Sequence, residues 1–229
     1  MSLHLDPPWL EYDLGAPHQV LSWAPYRPGF QTARRIQWRQ VRNADLPPDM
    51  DVAAWLQHAL QARGALDAVC MLTSRDVTAH AQASAMINGI HVQAVATVGL
   101  SNSERVGHRV DRSGRDWDRV LAPVAPLGTI NLAVRLGAAM SQTGLLEALS
   151  IATQARTAAI ITARHPLPDG SGHATGTGTD CIAIAAPPGA QDYAGLHTPL
   201  GEALGRAVYT ATLAGARDWQ ATIGPASGG

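Results

Sequence analysis

Strand-like apolar runs at 67–73, 90–98 and 128–136 succeed one another with no helical pattern between them. A parallel neighbour is normally reached through a crossover helix, so strands joined in this way cannot all be right-handed parallel crossovers. The order therefore favours a mixed sheet over a doubly wound one. Earlier in the chain, Val20, Leu21 and Trp23 mark a strand over 20–24 that ends at Pro25, and Ile36 and Trp38 mark another over 34–41. The most apolar strand, over 179–186, is stopped by Pro187-Pro188. Helices are predicted over 51–62, from Ser141 onward and from Thr198 onward. Val52, Leu56 and Leu60 recur at helical spacing in the first, and Ser141 can cap the second. In the third, Thr198 is the N-cap and Pro199 occupies the first helical position. Residues 1–17 read as a loosely attached or edge segment and 216–229 as a frayed tail. With no internal repeat and no linker, the expectation is one α+β (or α/β) domain over 1–229. Its mixed sheet should pack with about three helices.

Chain length and composition narrow the function classes. A chain of 229 residues with 46% hydrophobic and 15% charged residues is globular and needs no staples. A formal charge of −1 without runs of like charge argues against broad binding to nucleic acid or an anionic membrane. No stretch of 18 uninterrupted apolar residues exists, and the N-terminus lacks the basic-then-apolar order of a signal peptide, which predicts a cytoplasmic protein. Cys70 and Cys181 lie in separate apolar runs and read as reduced core thiols.

Three segments carry polar groups where apolar ones would be expected. In 97–107, Ser101, Asn102 and Glu104 sit between two glycines just past a strand. The structural reading of this segment is a capping box, with Ser101 at a helix N-cap and Glu104 three residues on. In 127–132, Thr129 and Asn131 alternate with apolar residues, and a buried Asn is costly unless bonded. It is either a structural bridge or a donor that polarises a carbonyl. The third segment, 170–180, runs Gly-Ser-Gly-His-Ala-Thr-Gly-Thr-Gly-Thr-Asp into the apolar strand. Its glycines allow close backbone approach, and Thr175, Thr177 and Thr179 would project to one side if extended. A phosphate loop is disfavoured, since this loop feeds a strand rather than a helix and lacks the P-loop Lys. A flexible hairpin is the other structural reading. His173 is a candidate base by residue type alone. Asp76 with His80, and Glu104 with His108, have the four-residue spacing of paired metal ligands on a helix, a pattern that arises easily by chance, and no metal site is expected.

Together these segments resemble the adenosylcobinamide amidohydrolase family. The resemblance rests on Val98-Gly99-Leu100-Ser101-Asn102, on Gly128-Thr129-Ile130-Asn131 and on the specific run Ala174-Thr175-Gly176-Thr177-Gly178-Thr179-Asp180. It implies hydrolysis of the amide joining the aminopropanol arm to the corrin ring, giving adenosylcobyric acid. The adenosylcorrinoid is then substrate, no separate cofactor is required, and assembly into a homo-oligomer is left open. Within the matched runs, Asp180 is expected as base or as the group that orients the nucleophile. Ser101, Thr177 and Thr179 are expected as nucleophile or positioning hydroxyls, and Asn102 and Asn131 as oxyanion donors. Thr129, Thr175, Gly176 and Gly178 are expected to contact substrate. Glu104 and His173, outside the matched pattern, are reserve proton carriers or substrate contacts. The rival readings are a non-hydrolytic corrinoid- or nucleotide-binding module and a metal-dependent amidohydrolase acting on a smaller amide.

Overall fold

The computed structural model describes residues 2–42, 45–47, 49–108 and 128–223. In chain order its elements are β1 (Ser2–Asp6), β2 (Trp9–Ser22), β3 (Gly29–Gln40), α1 (Val52–Ala62), β4 (Val69–Thr73), β5 (Ala81–Ile87), β6 (Ile90–Val98) and β7 (Ser103–Glu104). Then follow β8 (Ile130–Leu136), α2 (Gln142–Ala163), β9 (Gly176–Thr177), β10 (Cys181–Ala186) and α3 (Pro199–Thr222). The main sheet runs β4-β3-β2-β10-β8-β6-β5, with β1 also paired to β2. It is mixed, as the strand order predicts. The two parallel pairs, β3/β4 and β8/β10, are the ones whose connections contain α1 and α2. The pairs β5/β6 and β6/β8 are antiparallel.

The sheet folds back on itself. The register of β2 against β3 breaks between Asp13 and His18. Before the break β2 pairs with β1, and after it with β10. Leu10, Tyr12, Ile36, Trp38 and Met71 on one half thereby share a core with Val95, Ala133, Ala183 and Ala185 on the other. Tyr12 Oη donates to Gln93 Oε1 at 3.1 Å across this interior, and Asn131 Nδ2 donates to the Leu72 carbonyl at 2.6 Å. Outside one half, α2 and α3 cover Ala94, Leu132, Val134, Ile182 and Ile184 with Leu145, Leu204 and Val208. Outside the other, Leu56 and Leu60 of α1 pack with Trp9 and Cys70. The layers are therefore helix, sheet, sheet, helix. Being covered on both faces, β10 reads as a continuous apolar run, and β8 is interrupted only by Asn131 and Arg135.

The N-caps at Ser141 and Thr198 form as expected, each side chain accepting an N–H from three residues on. Both cysteines are buried free thiols. At the start of the chain the edge alternative holds and the loose one does not: β1 pairs only with β2 in a hairpin, and Leu10, Tyr12 and Leu14 of β2 alternate into the core. Of the expected frayed tail, residues 224–229 lie outside the described residues, and α3 continues past Gly215 to Thr222. A Cβ at Gly215 would stand 2.7 Å from Val98 Cγ2, so the glycine admits close packing, and Ala216 and Trp219 beyond it are buried. Finally, β5 was not predicted at all. It joins β6 through Asn88-Gly89, both at positive φ, the signature of a two-residue hairpin turn. No helix among the described residues is long and apolar enough to cross a membrane.

Candidate functional site

The parallel pairing of β8 and β10 sets Asn131 beside Cys181, so the residues leading into both strands emerge together. The small β7/β9 ladder, with Ser103 opposite Thr177 and Glu104 opposite Gly176, ties the loop after β6 to the same place. The Gly178 N–H donates to the Asn102 carbonyl at 3.1 Å and the Thr175 N–H to the Glu104 carbonyl at 2.9 Å. A Cβ at Gly128 would sit 2.5 Å from the Ser101 nitrogen and 2.7 Å from the Gly99 oxygen, so only glycine permits that approach. The three polar segments therefore converge. The capping-box reading of Ser101 and Glu104 is set aside, because a turn and β7, not a helix, follow Ser101.

Asp180 is the hub of this convergence. Its side chain is 8% exposed and pairs with Arg156, itself 13% exposed, at 2.5 Å. The same carboxylate accepts the Thr177 N–H at 3.1 Å, the Ile130 N–H at 3.1 Å and the Thr177 hydroxyl. Burial raises its pKa above the ordinary carboxylate value, and Arg156 with the Thr177 and Ile130 donors opposes that rise. A carboxylate with a guanidinium and three further donors is best satisfied when ionised. Arg156 also donates to the Thr175 carbonyl at 3.2 Å. A Cβ at Gly176 would overlap Arg156 Nη1 and stand 2.6 Å from Asp180 Oδ2, so this glycine makes room for the ion pair.

In front of the hub a cavity of about 660 Å³ opens between the ends of the two sheet halves. Thr73, Thr129, Asn131, Thr179 and Asp180 bring polar groups to it, and Trp23, Pro25, Val41, Leu46, Pro47 and Leu72 form an apolar wall. Thr129 Oγ1 donates to the Thr179 carbonyl at 2.9 Å and lies 3.3 Å from Asn131 Oδ1. Thr179 Oγ1 lies 3.5 Å from the Gly128 carbonyl. Trp23 Nε1 donates to the Asp180 carbonyl at 2.7 Å. Cys181 also lines the cavity, but burial pushes its thiol up to about 11, which makes it a poor source of thiolate.

Among the sequence candidates, Thr129, Asn131, Gly178, Thr179 and Asp180 line this cavity. Ser101, Asn102, Glu104, Thr175, Gly176 and Thr177 form the scaffold beside it, and the Thr177 hydroxyl is turned onto Asp180. His173 lies elsewhere, exposed and bridged to Pro166. The metal-type pairs do not share helix faces. Asp76 caps a short 3-10 turn while His80 bonds the Val77 carbonyl, and Glu104 sits in β7 with His108 bridged to Arg105. No group of three potential metal ligands occurs among the described residues. An exposed cluster of Asp169, Ser171 and His108 is no triad, because both partners meet the same ring nitrogen, Nε2.

Sequence reasoning missed Arg156, Trp23 and Thr73. Arg156 had a visible signal, since it stands four residues from buried Ala152 and four from buried Ile160 on one helix stripe. Trp23 and Thr73 had none, because Trp23 arrives through the long-range pairing of β2 with β10 and Thr73 through the folding-back of the sheet.

The model of the adenosylcobinamide amidohydrolase family matches residues 2–223. No curated protein matches the chain. Among solved structures, the chain is similar to a beta-aminopeptidase of Burkholderia sp., at 14% identity and a TM-score of 0.43, covering 90% of this chain and 78% of that one. It is also similar to the PH0078 protein of Pyrococcus horikoshii OT3, at 11% identity and a TM-score of 0.44, covering 90% and 76%.

Proposed function

Since the chain belongs to the adenosylcobinamide amidohydrolase family and is a hydrolase acting on an amide of that corrinoid, we propose that the cavity between the sheet halves is where the aminopropanol arm is cut. Water adds across the C–N bond, leaving a carboxyl group on the corrin as adenosylcobyric acid and releasing aminopropanol. This would place the enzyme in corrinoid salvage, with a cytoplasmic setting and no separately bound cofactor.

The observation that carries the assignment is the joint presence of Thr179, Thr129 and Asn131 in a cavity that also has an apolar wall. Cavities of this size suit a drug-sized ligand, about 300–1,000 Å³, so the arm enters and most of the larger macrocycle stays at the mouth. Asn131 gives one N–H to the Leu72 carbonyl. Its second N–H is assigned to the amide oxygen, which gains negative charge as the carbonyl is attacked, while the Thr129 hydroxyl is committed to the Thr179 carbonyl and holds that turn in place. Thr179 presents the hydroxyl that attacks or that holds the attacking water. Asp180, with its acceptor positions already filled, is assigned to orientation rather than proton abstraction. Its clamp on Arg156 and Thr177 fixes the turn that presents Thr179.

The test is incubation with adenosylcobinamide followed by mass detection of both products, for the wild type and for T179A and N131A. Product from the wild type and its near-loss in both variants is expected. Intact substrate with the wild type, metals included, would overturn the proposal, and full turnover by T179A would remove Thr179 from it. Tight capture without release of aminopropanol would favour a binding module instead.

A further inference from the structure

Trp23 differs from three other tryptophans of the described residues. Trp9, Trp38 and Trp219 are buried, whereas Trp23 is 47% exposed. It is nevertheless not a loose surface side chain. Its indole N–H is fixed to the Asp180 carbonyl at 2.7 Å, across 157 positions of sequence. It also follows Ser22, whose hydroxyl accepts the Ala24 N–H at 3.0 Å, so the backbone on both sides is tied down. An indole held by its polar edge with apolar area facing a cavity is the arrangement that binds flat ligands, because little side-chain freedom is lost on contact. The residue holding it is the one whose carboxylate is clamped by Arg156, and its neighbour in sequence is Thr179. The position of the ring is thereby mechanically linked to the hydroxyl assigned to the chemistry.

From this geometry we infer that Trp23 is the platform on which the corrin macrocycle stacks, and that it selects which arm of the substrate reaches Thr179. This rests on the hydrolysis proposed for the same cavity. A corrin carries several amide-bearing arms around its rim, so a site that merely bound amides would cut several of them. A fixed aromatic surface beside Thr179 restricts the macrocycle to one placement and makes the cut regiospecific.

The experiment measures equilibrium binding of adenosylcobinamide and of adenosylcobyric acid, by dialysis and corrinoid absorbance, to wild type, W23A, W23F and the control F30A. Phe30 is also an exposed aromatic but does not line the cavity. W23A is expected to bind both corrinoids about 10-fold more weakly, as loss of one stacking surface implies. W23F, which keeps a ring but lacks the N–H, retains most of the binding, and F30A binds like the wild type. With W23A, product fragmentation by mass spectrometry should also show cuts at other arms. Unchanged binding by W23A would overturn the inference. So would equal losses in W23A and W23F, which would place the effect in the bond to Asp180 rather than in stacking. Because binding is read without turnover, a wild type that binds but never hydrolyses refutes the proposed reaction while leaving the platform established.

Discussion

Replacing Gly176 by Ala should break an ion pair that Gly176 itself does not form. The added Cβ would overlap Arg156 Nη1 and stand 2.6 Å from Asp180 Oδ2, so one of the two charged groups must withdraw. Both are nearly buried, at 13% and 8% exposure, so solvent compensates little for the separation. Breaking a buried pair by removing one partner costs about 3–5 kcal/mol, a large part of the roughly 5–15 kcal/mol that holds a domain folded. R156M should cost a similar amount, since it strips Asp180 of its counter-charge while leaving the Thr177 and Ile130 donors. Independent losses would sum in the double variant. Here they remove the same interaction, so G176A in the R156M background should cost clearly less than in the wild type, with a coupling of about 2–3 kcal/mol. Urea denaturation of the four proteins, followed by tryptophan fluorescence at neutral pH, measures this coupling. Additivity within about 0.5 kcal/mol would show that Gly176 does not act through the pair and would refute the reasoning.

The same clamp makes D180N a stability variant as well as an activity variant. It leaves Arg156 without its anion and should lower the denaturation midpoint together with turnover, and a normal midpoint with lost turnover would return Asp180 to a purely chemical role. N131A should lower kcat by about 10²–10³ with a smaller effect on KM, as loss of an oxyanion donor does, and a pure KM effect would contradict that assignment. Acid should destabilise the fold through His18 and His165, whose pKa values are lowered, in both cases chiefly by burial. Each is neutral when folded and charges more readily when unfolded, so stability is full above the ordinary pKa of about 6.5 and falls below it, by at most about 1.4 kcal/mol per pH unit per group until the folded pKa is passed. Denaturation midpoints from pH 7.5 to 5 measure this, and a flat profile would count against it. Turnover should survive exhaustive chelation. Activity lost to a chelator and restored by added metal would favour a metal-dependent amidohydrolase.

How much of this was legible in the sequence differs by layer. The layer of β8, β10 and the two long helices announced itself, because strands covered on both faces are predominantly apolar and the helix caps at Ser141 and Thr198 are strong local signals. The convergence of Ser101, Asn131 and Asp180 was readable as a set of polar residues placed at strand ends. The facing layer was harder. The Leu10, Tyr12 and Leu14 alternation was overshadowed by neighbouring acidic residues and prolines, and β5 alternates Ala with Gln82 and Ser84, which gives little hydrophobic contrast. The Asn88-Gly89 turn was a local signal that could have found β5. The apolar wall was not readable at all. It joins residues far apart in sequence: Trp23 comes through the antiparallel pairing of β2 with β10, and Leu72 and Thr73 through the folding-back of the sheet. His173 illustrates the converse, since its residue type suggested a base while the fold leaves it exposed and away from the cavity.

The central claim, that water cuts the amide of the aminopropanol arm, is met most directly by turnover of adenosylcobinamide in heavy-oxygen water with mass analysis of both products. The account predicts one heavy oxygen in the new carboxyl group of adenosylcobyric acid and none in the released aminopropanol. Intact adenosylcobinamide, or heavy oxygen in the aminopropanol, would contradict it.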